Sequence, residues 1–268
     1  MLLAQTRIND LMMYDIPHVD LSTKVSKAEW QTRVELAACY RLLVMHGWDD
    51  LIYTHVSARI PGTEDLLINA FGLSFEEVTA SNLVKIDIDG NIIDPDSPFE
   101  INPAGFTIHS AVHHARPEDQ CALHLHHSDA TAVASSKEGL LPYSQYAAFA
   151  LASMSYHHYE GLAVDHNEII SLQQDLGSAN FMLLRNHGAL TMGKTIGDAF
   201  MHMYDLLRAC EIQVKLQHGA GDVINVNHNV IQGIKAQANI VHTGLTGGQK
   251  AWPAMMRRVK RAYPDFDK

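Results

Sequence analysis

The stretch CALHLHH, residues 121–127, read together with NFMLLRNHGALTMG, residues 180–193, decides how the rest of the chain is understood. On a β-strand, residues i and i+2 share a face. His124 and His126 can therefore turn both imidazoles toward one ion while Leu125 enters the core on the opposite side. Imidazole nitrogens hold zinc at about 2.0–2.1 Å, but two of them do not retain a divalent ion tightly. A third ligand is required, and His187 is the best source. It follows the apolar run FMLLR in a strand-to-strand turn, where Gly188 lets neighbouring backbone come close. Three neutral imidazoles leave one or two positions on an ion open to water or substrate, as expected of a catalytic rather than a closed structural site.

Outward from these strands, residues 25–46 place Trp30, Val34, Ala37, Cys39/Tyr40 and Val44 near helical spacing, and Gly47 stops the helix. LIYTHVSARI and LLINAFG read as strands joined through Pro61-Gly62. VKIDIDGNII alternates apolar and charged residues and turns at Asp89-Gly90-Asn91, the clearest hairpin pattern in the chain. Pro95 and Pro98 break the sheet, and Asn102-Pro103 starts a helix running to Pro117 with His109 and His113 on one face. A short alanine-rich helix follows CALHLHH, and residues 143–159 fit either a helix or a helix plus a strand. Helices over 168–176 and 196–218 flank the strands NFMLLRN and ALTM. This order predicts an α/β chain: a three-layer αβα sandwich around a central, mainly antiparallel or mixed sheet. Residues 1–24 read as an arm and 25–218 as one domain. Residues 219–268 read as an extension, ending in Arg257, Arg258, Lys260 and Arg261, that packs on the same domain or a neighbouring subunit.

Composition narrows the functional classes. Twenty basic against thirty acidic residues give a formal charge of -10 over 268 residues, which argues against a nucleic-acid partner. Cys39, Cys121 and Cys210 are too few and too scattered for a disulfide framework. The opening MLLAQTRINDLMMYDIP lacks signal-peptide regions, and no apolar run reaches membrane-spanning length, so the expectation is a cytoplasmic chain with no membrane contact. There is no P-loop, GxGxxG, GxSxG or HExxH pattern. The outlier is histidine, at 17 residues. That number exceeds any one ligand set several-fold, so most must do ordinary polar or packing work.

The ordered set HGWDDLIYTHVSARIPG, LLINAFGLSFEEVTASNLVKIDIDGNI, INPAGFTIHSAVHHARPE, ALHLHHSDATAVASSKEGLLPYSQYA and LLRNHGALTMG resembles the class II aldolase/adducin head family across roughly residues 25–215. The resemblance implies an αβα domain that assembles in rings, commonly homotetramers, with the active site beside a subunit interface. It also implies a divalent metal, zinc first with manganese or iron(II) as alternatives, held by His124, His126 and His187. Departures from the family's phosphosugar aldolases bear on substrate. Their GNxS stretch appears here as Thr54-His55-Val56-Ser57, their serine-glycine pair as Phe71-Gly72, and their paired serines and catalytic glutamate as Pro103-Ala104-Gly105. Ser57 survives as a substrate-binding candidate, but bulky Phe71 stands at an oxygen-binding position and the phosphate nest is dismantled.

Loss of the glutamate leaves the proton step to another group. His109 is the first candidate and His55 the second; Tyr143 and Tyr146 fall where relatives bring a tyrosine to a neighbouring subunit's metal. Arg59 and Arg116 are candidates to clamp a carboxylate. The pattern suggests a metal-dependent carbon–carbon lyase, a decarboxylase or aldolase-type enzyme. Its substrate would be a small non-phosphorylated hydroxy or keto acid or a hydroxyaromatic carboxylate, cleaved through a metal-stabilised enolate. The alternatives are a non-haem iron oxygenase of aryl hydroxy acids and a non-catalytic, adducin-like interaction module.

Overall fold

The structure, a computed structural model, describes residues 16–17, 19–94, 97–161, 166–219 and 221–268. Most of the expected N-terminal arm, and Pro95, lie outside the described residues. Helix α1 spans Lys27–His46, starting where the Ser26 side chain accepts the Glu29 N–H and ending at Gly47, whose φ of 68° is left-handed. The Gly47 and Trp48 N–H groups reach back to Val44 and Leu43, so the helix terminates through satisfied carbonyls and not by fraying. Tyr40, fully buried on α1, places its hydroxyl 2.8 Å from the Val56 N–H and 2.8 Å from Asn69 Oδ1. One phenol thereby ties the helix to the next two strands.

Those strands are β1, His55–Arg59, and β2, Leu66–Ile68, followed by a 3-10 turn at Phe75–Glu77 and β3, Val84–Ile86. Helix α2 covers Pro103–Ala115; then come β4, Cys121–Leu125; α3, Ser128–Ser135; α4, Gln145–Leu151; and β5, Met154–His157. Helix α5 is His166–Leu176, β6 Phe181–Leu184, β7 Gly188–Gly193 and α6 Ile196–Gln217. The sheet runs β3-β2-β1-β4-β7-β6-β5, every pairing antiparallel except β5 with β6. The ambiguous 143–159 segment is a helix followed by a strand, as one of its two readings had it.

Strand alternation divides the interior into layers. Val56, Ala58, Leu123, Leu125, Leu183 and Ala189 pack with α1 and α6 on one face. Ala122, Met182, Leu184 and Leu190 pack with Ile108, Ala111 and Val112 of α2 and Leu172 and Leu176 of α5 on the other. This is the three-layer αβα arrangement read from the sequence, with the imidazoles of β1 and β4 on the α2 side.

Three expected elements are shorter than their patterns: LIYTHVSARI is a strand only over His55–Arg59, where the left-handed Leu51 and Thr54 have turned the chain first, and LLINAFG only over Leu66–Ile68. The VKIDIDGNII hairpin keeps its turn but reduces to the single bridge Ile86–Ile92. Asp87 Oδ1 accepts the N–H groups of Asp89 and Asn91, and its other oxygen takes the Asn91 amide. The side chain thus competes with a second ladder for the same donors. In the C-terminal region, α7 spans His228–Val241 and α8 spans Gly247–Ala262, with α8 packed on α6 and α1. Among the described residues no helix is long and apolar enough to cross a membrane.

The β6–β7 turn depends on one close approach. A Cβ on Gly188 would stand 2.4 Å from the Leu125 carbonyl oxygen, a backbone atom that cannot step aside. Gly188→Ala is therefore expected to part β4 from β7 at this end and to cost on the order of 1–3 kcal/mol. The check is urea unfolding of the metal-free protein; an unchanged midpoint would show that the turn is not held this tightly.

Candidate metal centre

Register builds the centre. Within the sheet His124 on β4 sits opposite His55 on β1 and Leu190 on β7, while Leu125 faces Ala189. Asn186, at φ 58°, bends the chain sharply, and the His187 N–H closes the turn on the Leu184 carbonyl at 3.0 Å. That bend swings His187 back over the end of β4. His124 Nε2 lies 3.1 Å from His126 Nε2, which lies 3.0 Å from His187 Nε2. Among the described residues these three are the group of histidine, cysteine and acidic side chains whose donor atoms converge closely enough to hold an ion.

The protons show that the set fits a cation. His124 Nδ1 is 3.0 Å from the Ala189 carbonyl, which can only accept, so the proton sits on Nδ1. His126 Nδ1 is 3.0 Å from Asp50 Oδ2 and is fixed the same way. With both rings neutral, the two Nε2 atoms are lone pairs about 3 Å apart, with no proton between them. Burial, then the neighbouring imidazoles, holds His124 well below the usual histidine range and His187 at about 4. A divalent ion is the group that relieves this crowding of lone pairs. His124 is 1% exposed whereas the His126 side chain is 30% exposed, so the cluster is closed toward the sheet and open on one side.

A second histidine array adjoins it. His55 Nδ1 is 2.7 Å from His109 Nε2; His109 Nδ1 bonds the Ser57 hydroxyl, which also lies 2.7 Å from His113 Nε2. All four residues are at most 5% exposed. Burial pushes His109 and His113 down to about 3, helped by the His113 charge in the first case and Arg59 in the second. Neutral imidazoles carry one proton each. With every bond filled and no hydroxyl proton stranded, the chain has two arrangements: His55 Nε2 either carries a proton or is bare, and His113 Nδ1 does the opposite. His113 Nδ1 has no partner.

The outer end of this array meets Gly105. A Cβ there would stand 2.5 Å from His55 Nε2 and 2.4 Å from its Cδ2, so the His55 ring fills the space a side chain at 105 would need. His55 also lies against His124, ring centroids 5.1 Å apart.

A match to the family profile described as Class II Aldolase and Adducin N-terminal domain covers residues 34–214. The chain belongs to this family. A Pseudomonas aeruginosa protein that carries a provisional aldolase class 2 name is 53% identical over 92% of this chain and 96% of its own length. Mouse alpha-adducin is 42% identical over 82% of this chain, which spans only 30% of that relative. The crystal structure of an aldolase II superfamily protein from Pseudomonas syringae superposes with a TM-score of 0.86 at 43% identity, covering 93% of this chain and all of that one. L-fuculose 1-phosphate aldolase from Glaciozyma antarctica, at 23% identity and a TM-score of 0.75 over 99% of both chains, shares the fold.

Other expected site residues lie elsewhere. Ser57 is fully buried and bonded to two histidines, leaving nothing for a ligand. Arg59 spends its guanidinium on Glu64, at 2.6 Å, and on the His113 carbonyl. Arg116 pairs with Asp119 and Glu118 and donates to the Ala179 carbonyl. Neither guanidinium hydrogen-bonds an imidazole. Phe71 is half-buried just beyond β2, its N–H on the Glu100 carbonyl. Tyr146 packs on Tyr204 with centroids 6.2 Å apart; Tyr143 is half-buried in the loop before α4.

Sequence reasoning missed Asp50, and it missed His157, which binds Asp175 at 2.8 Å beside a small cleft next to His187. Nothing in spacing or periodicity marks either.

Two outcomes follow from the array. Gly105→Ala is expected to cost about 1–3 kcal/mol, and most of that cost should vanish in a His55→Ala background; additive unfolding free energies across the four proteins would refute the overlap. His109 and His113 titrate near 3 when folded but near 6.5 unfolded. Their neutral burial therefore stabilises fully above pH 6.5 and progressively less toward pH 3. The urea midpoint of metal-free protein should fall between pH 7 and pH 5; a flat profile would contradict it.

Proposed function

We propose that the protein is a divalent-metal-dependent carbon–carbon lyase acting on a small, non-phosphorylated hydroxy or keto acid or hydroxyaromatic carboxylate. The observation that carries this reading is the convergence of three imidazole Nε2 atoms with one open side. His124, His126 and His187 hold the ion: zinc first, with manganese and iron(II) compatible with the same donors. The bound ion supplies Lewis acidity toward a substrate oxygen.

The chain's own groups supply the rest. Decarboxylation releases carbon dioxide, and aldol cleavage breaks the bond to the hydroxyl-bearing carbon, which gives up its O–H proton and leaves as a carbonyl; either leaves an electron pair on the substrate fragment, to which a proton must be delivered. His55 is our candidate for that role, supported by its ring lying beside His124 in the space left by Gly105. The His109–Ser57–His113 chain behind it sets which His55 nitrogen carries the proton, and the proton given up is replaced from water on the open side of the centre. Phosphosugars are disfavoured because the Ser57 hydroxyl is consumed inside this chain. Beside His187, Ile108, Leu172 and Leu184 give a substrate's apolar part a wall. The protein works as a homotetramer with the site near a subunit interface. Tyr143 is the better placed of the two tyrosines to serve a neighbour, since Tyr146 packs within its own subunit.

A second reading, a non-catalytic interaction module, is favoured by the 42% identity to alpha-adducin. Metal content separates the two. Protein purified without added metal or a polyhistidine tag is expected to hold about one zinc, manganese or iron per subunit by mass spectrometry, and the His124→Ala/His126→Ala variant none. A metal-free wild type that cannot be reconstituted would favour the module. On a carboxylate that the enzyme decarboxylates, His55→Ala should lower kcat by about 10²–10⁴-fold with metal content unchanged; unaltered turnover would remove His55 from the chemistry.

A further inference from the structure

The turn between α1 and β1 is costly in conformation and has no packing reason for its shape. Leu51 has φ 53° and Thr54 φ 68°. Both are non-glycine residues in the left-handed region, and a β-branched residue there is a clear outlier. Leu51 is 73% exposed, so its side chain gains nothing from the placement. Thr54 is buried with its hydroxyl unpartnered. Such strain persists only where the surroundings over-determine it, and it gathers at functional positions.

Both ends of the turn are anchored. Trp48 is buried and stacked on His46, with centroids 4.6 Å apart, and His55 is locked into β1 opposite His124. Between them the Tyr53 N–H donates to the Asp50 carbonyl at 2.8 Å. The result is that the Asp50 carboxylate is held 3.0 Å from His126 Nδ1.

His126 is the imidazole that needs such a partner. β4 ends at Leu125, so His126 lies one residue past the last ladder position, while His124 is fixed by strands on both sides and by the Ala189 carbonyl. His187 is set by its turn. Without an acceptor at Nδ1, the His126 ring is free to rotate and to carry its proton on Nε2, the atom that must be bare to bind a metal. An exposed ion pair alone would be a weak reason for the contact, because the Asp50 side chain is 40% exposed and such pairs contribute little.

We infer that Asp50 is the positioning residue of the metal centre: presented by the strained turn 49–54, it holds His126 in the Nδ1–H tautomer with Nε2 turned toward His124 and His187. Asp50 does not itself ligate that ion, since it bonds the ring nitrogen opposite Nε2. The same turn sets the start of β1, so one device aims a metal ligand and delivers His55 to its neighbour. The inference rests on the three histidines being a metal site.

The experiment measures zinc affinity of the full-length protein by competition with a chromophoric chelator, for wild type, Asp50→Asn and Asp50→Ala. Thermal unfolding of each metal-free protein is measured alongside. Asp50→Ala is expected to weaken zinc binding about 10–100-fold with the metal-free melting temperature unchanged. Asp50→Asn, whose amide oxygen can still accept from Nδ1, should fall between. Nitrogen-15 spectra of the metal-free protein should show the His126 Nδ1–H tautomer in wild type and a mixture in Asp50→Ala. Wild-type affinity in both variants, or an unaltered tautomer, overturns the role of Asp50. A wild type that binds no zinc overturns the metal reading itself. Should Asp50→Ala fail to fold, Asp50→Leu, close in size and unable to accept from Nδ1, takes its place, and wild-type affinity and tautomer in it overturn the role of Asp50.

Discussion

The close approach of Gly188 to the Leu125 carbonyl is the constraint on which the site depends. It lets β7 begin against the last residue of β4, and the left-handed Asn186 then carries His187 across the strand end to within 3.0 Å of His126. Any side chain at 188 would force the strands apart where the imidazoles must converge. The remaining geometry is inherited from register, because His55, His124 and Leu190 lie in line across β1, β4 and β7.

Two histidine systems share one sheet face for different physical reasons. In the first, lone pairs are crowded together because their protons are pinned on the far side of each ring by Ala189 and Asp50. In the second, every facing pair has a proton between it, running through Ser57 to His113. The first offers its donor atoms to a cation, and the second satisfies itself. Burial holds His124 well below the usual histidine range and pushes His109 and His113 down to about 3, so rings of both systems stay neutral on this face.

Period-two alternation made the His124/His126 pair and the layer order legible, because a strand's faces are fixed by backbone geometry alone. Gly188 was legible for the same reason, a glycine where backbones must nearly touch. Charge alone does not reveal its partner: Arg59 and Arg116 pair with acids only three to five residues away, Glu64 and Asp119. Spacing could not reveal the partners of Ser57 either, since they come from α2, a helix some fifty residues later. Asp50 was hidden because the turn presenting it uses leucine and threonine at positive φ, where sequence habits expect glycine or asparagine. The shortened hairpin after β3 shows the same local competition in reverse, as the Asp87 side chain takes donors that alternation had assigned to a ladder.

The departures from the phosphosugar aldolases at positions 55 and 105 are physically one change. With His55 where it stands, no side chain fits at 105; with a glutamate at 105, that ring would have to leave, and His109 would lose its partner. The three bonds through Ser57 then lose their terminus, and the serine hydroxyl regains freedom to meet a ligand. Phosphate recognition and the buried proton chain thus compete for the same serine and the same volume. A single substitution at either position gives neither arrangement, only a clash or a hole.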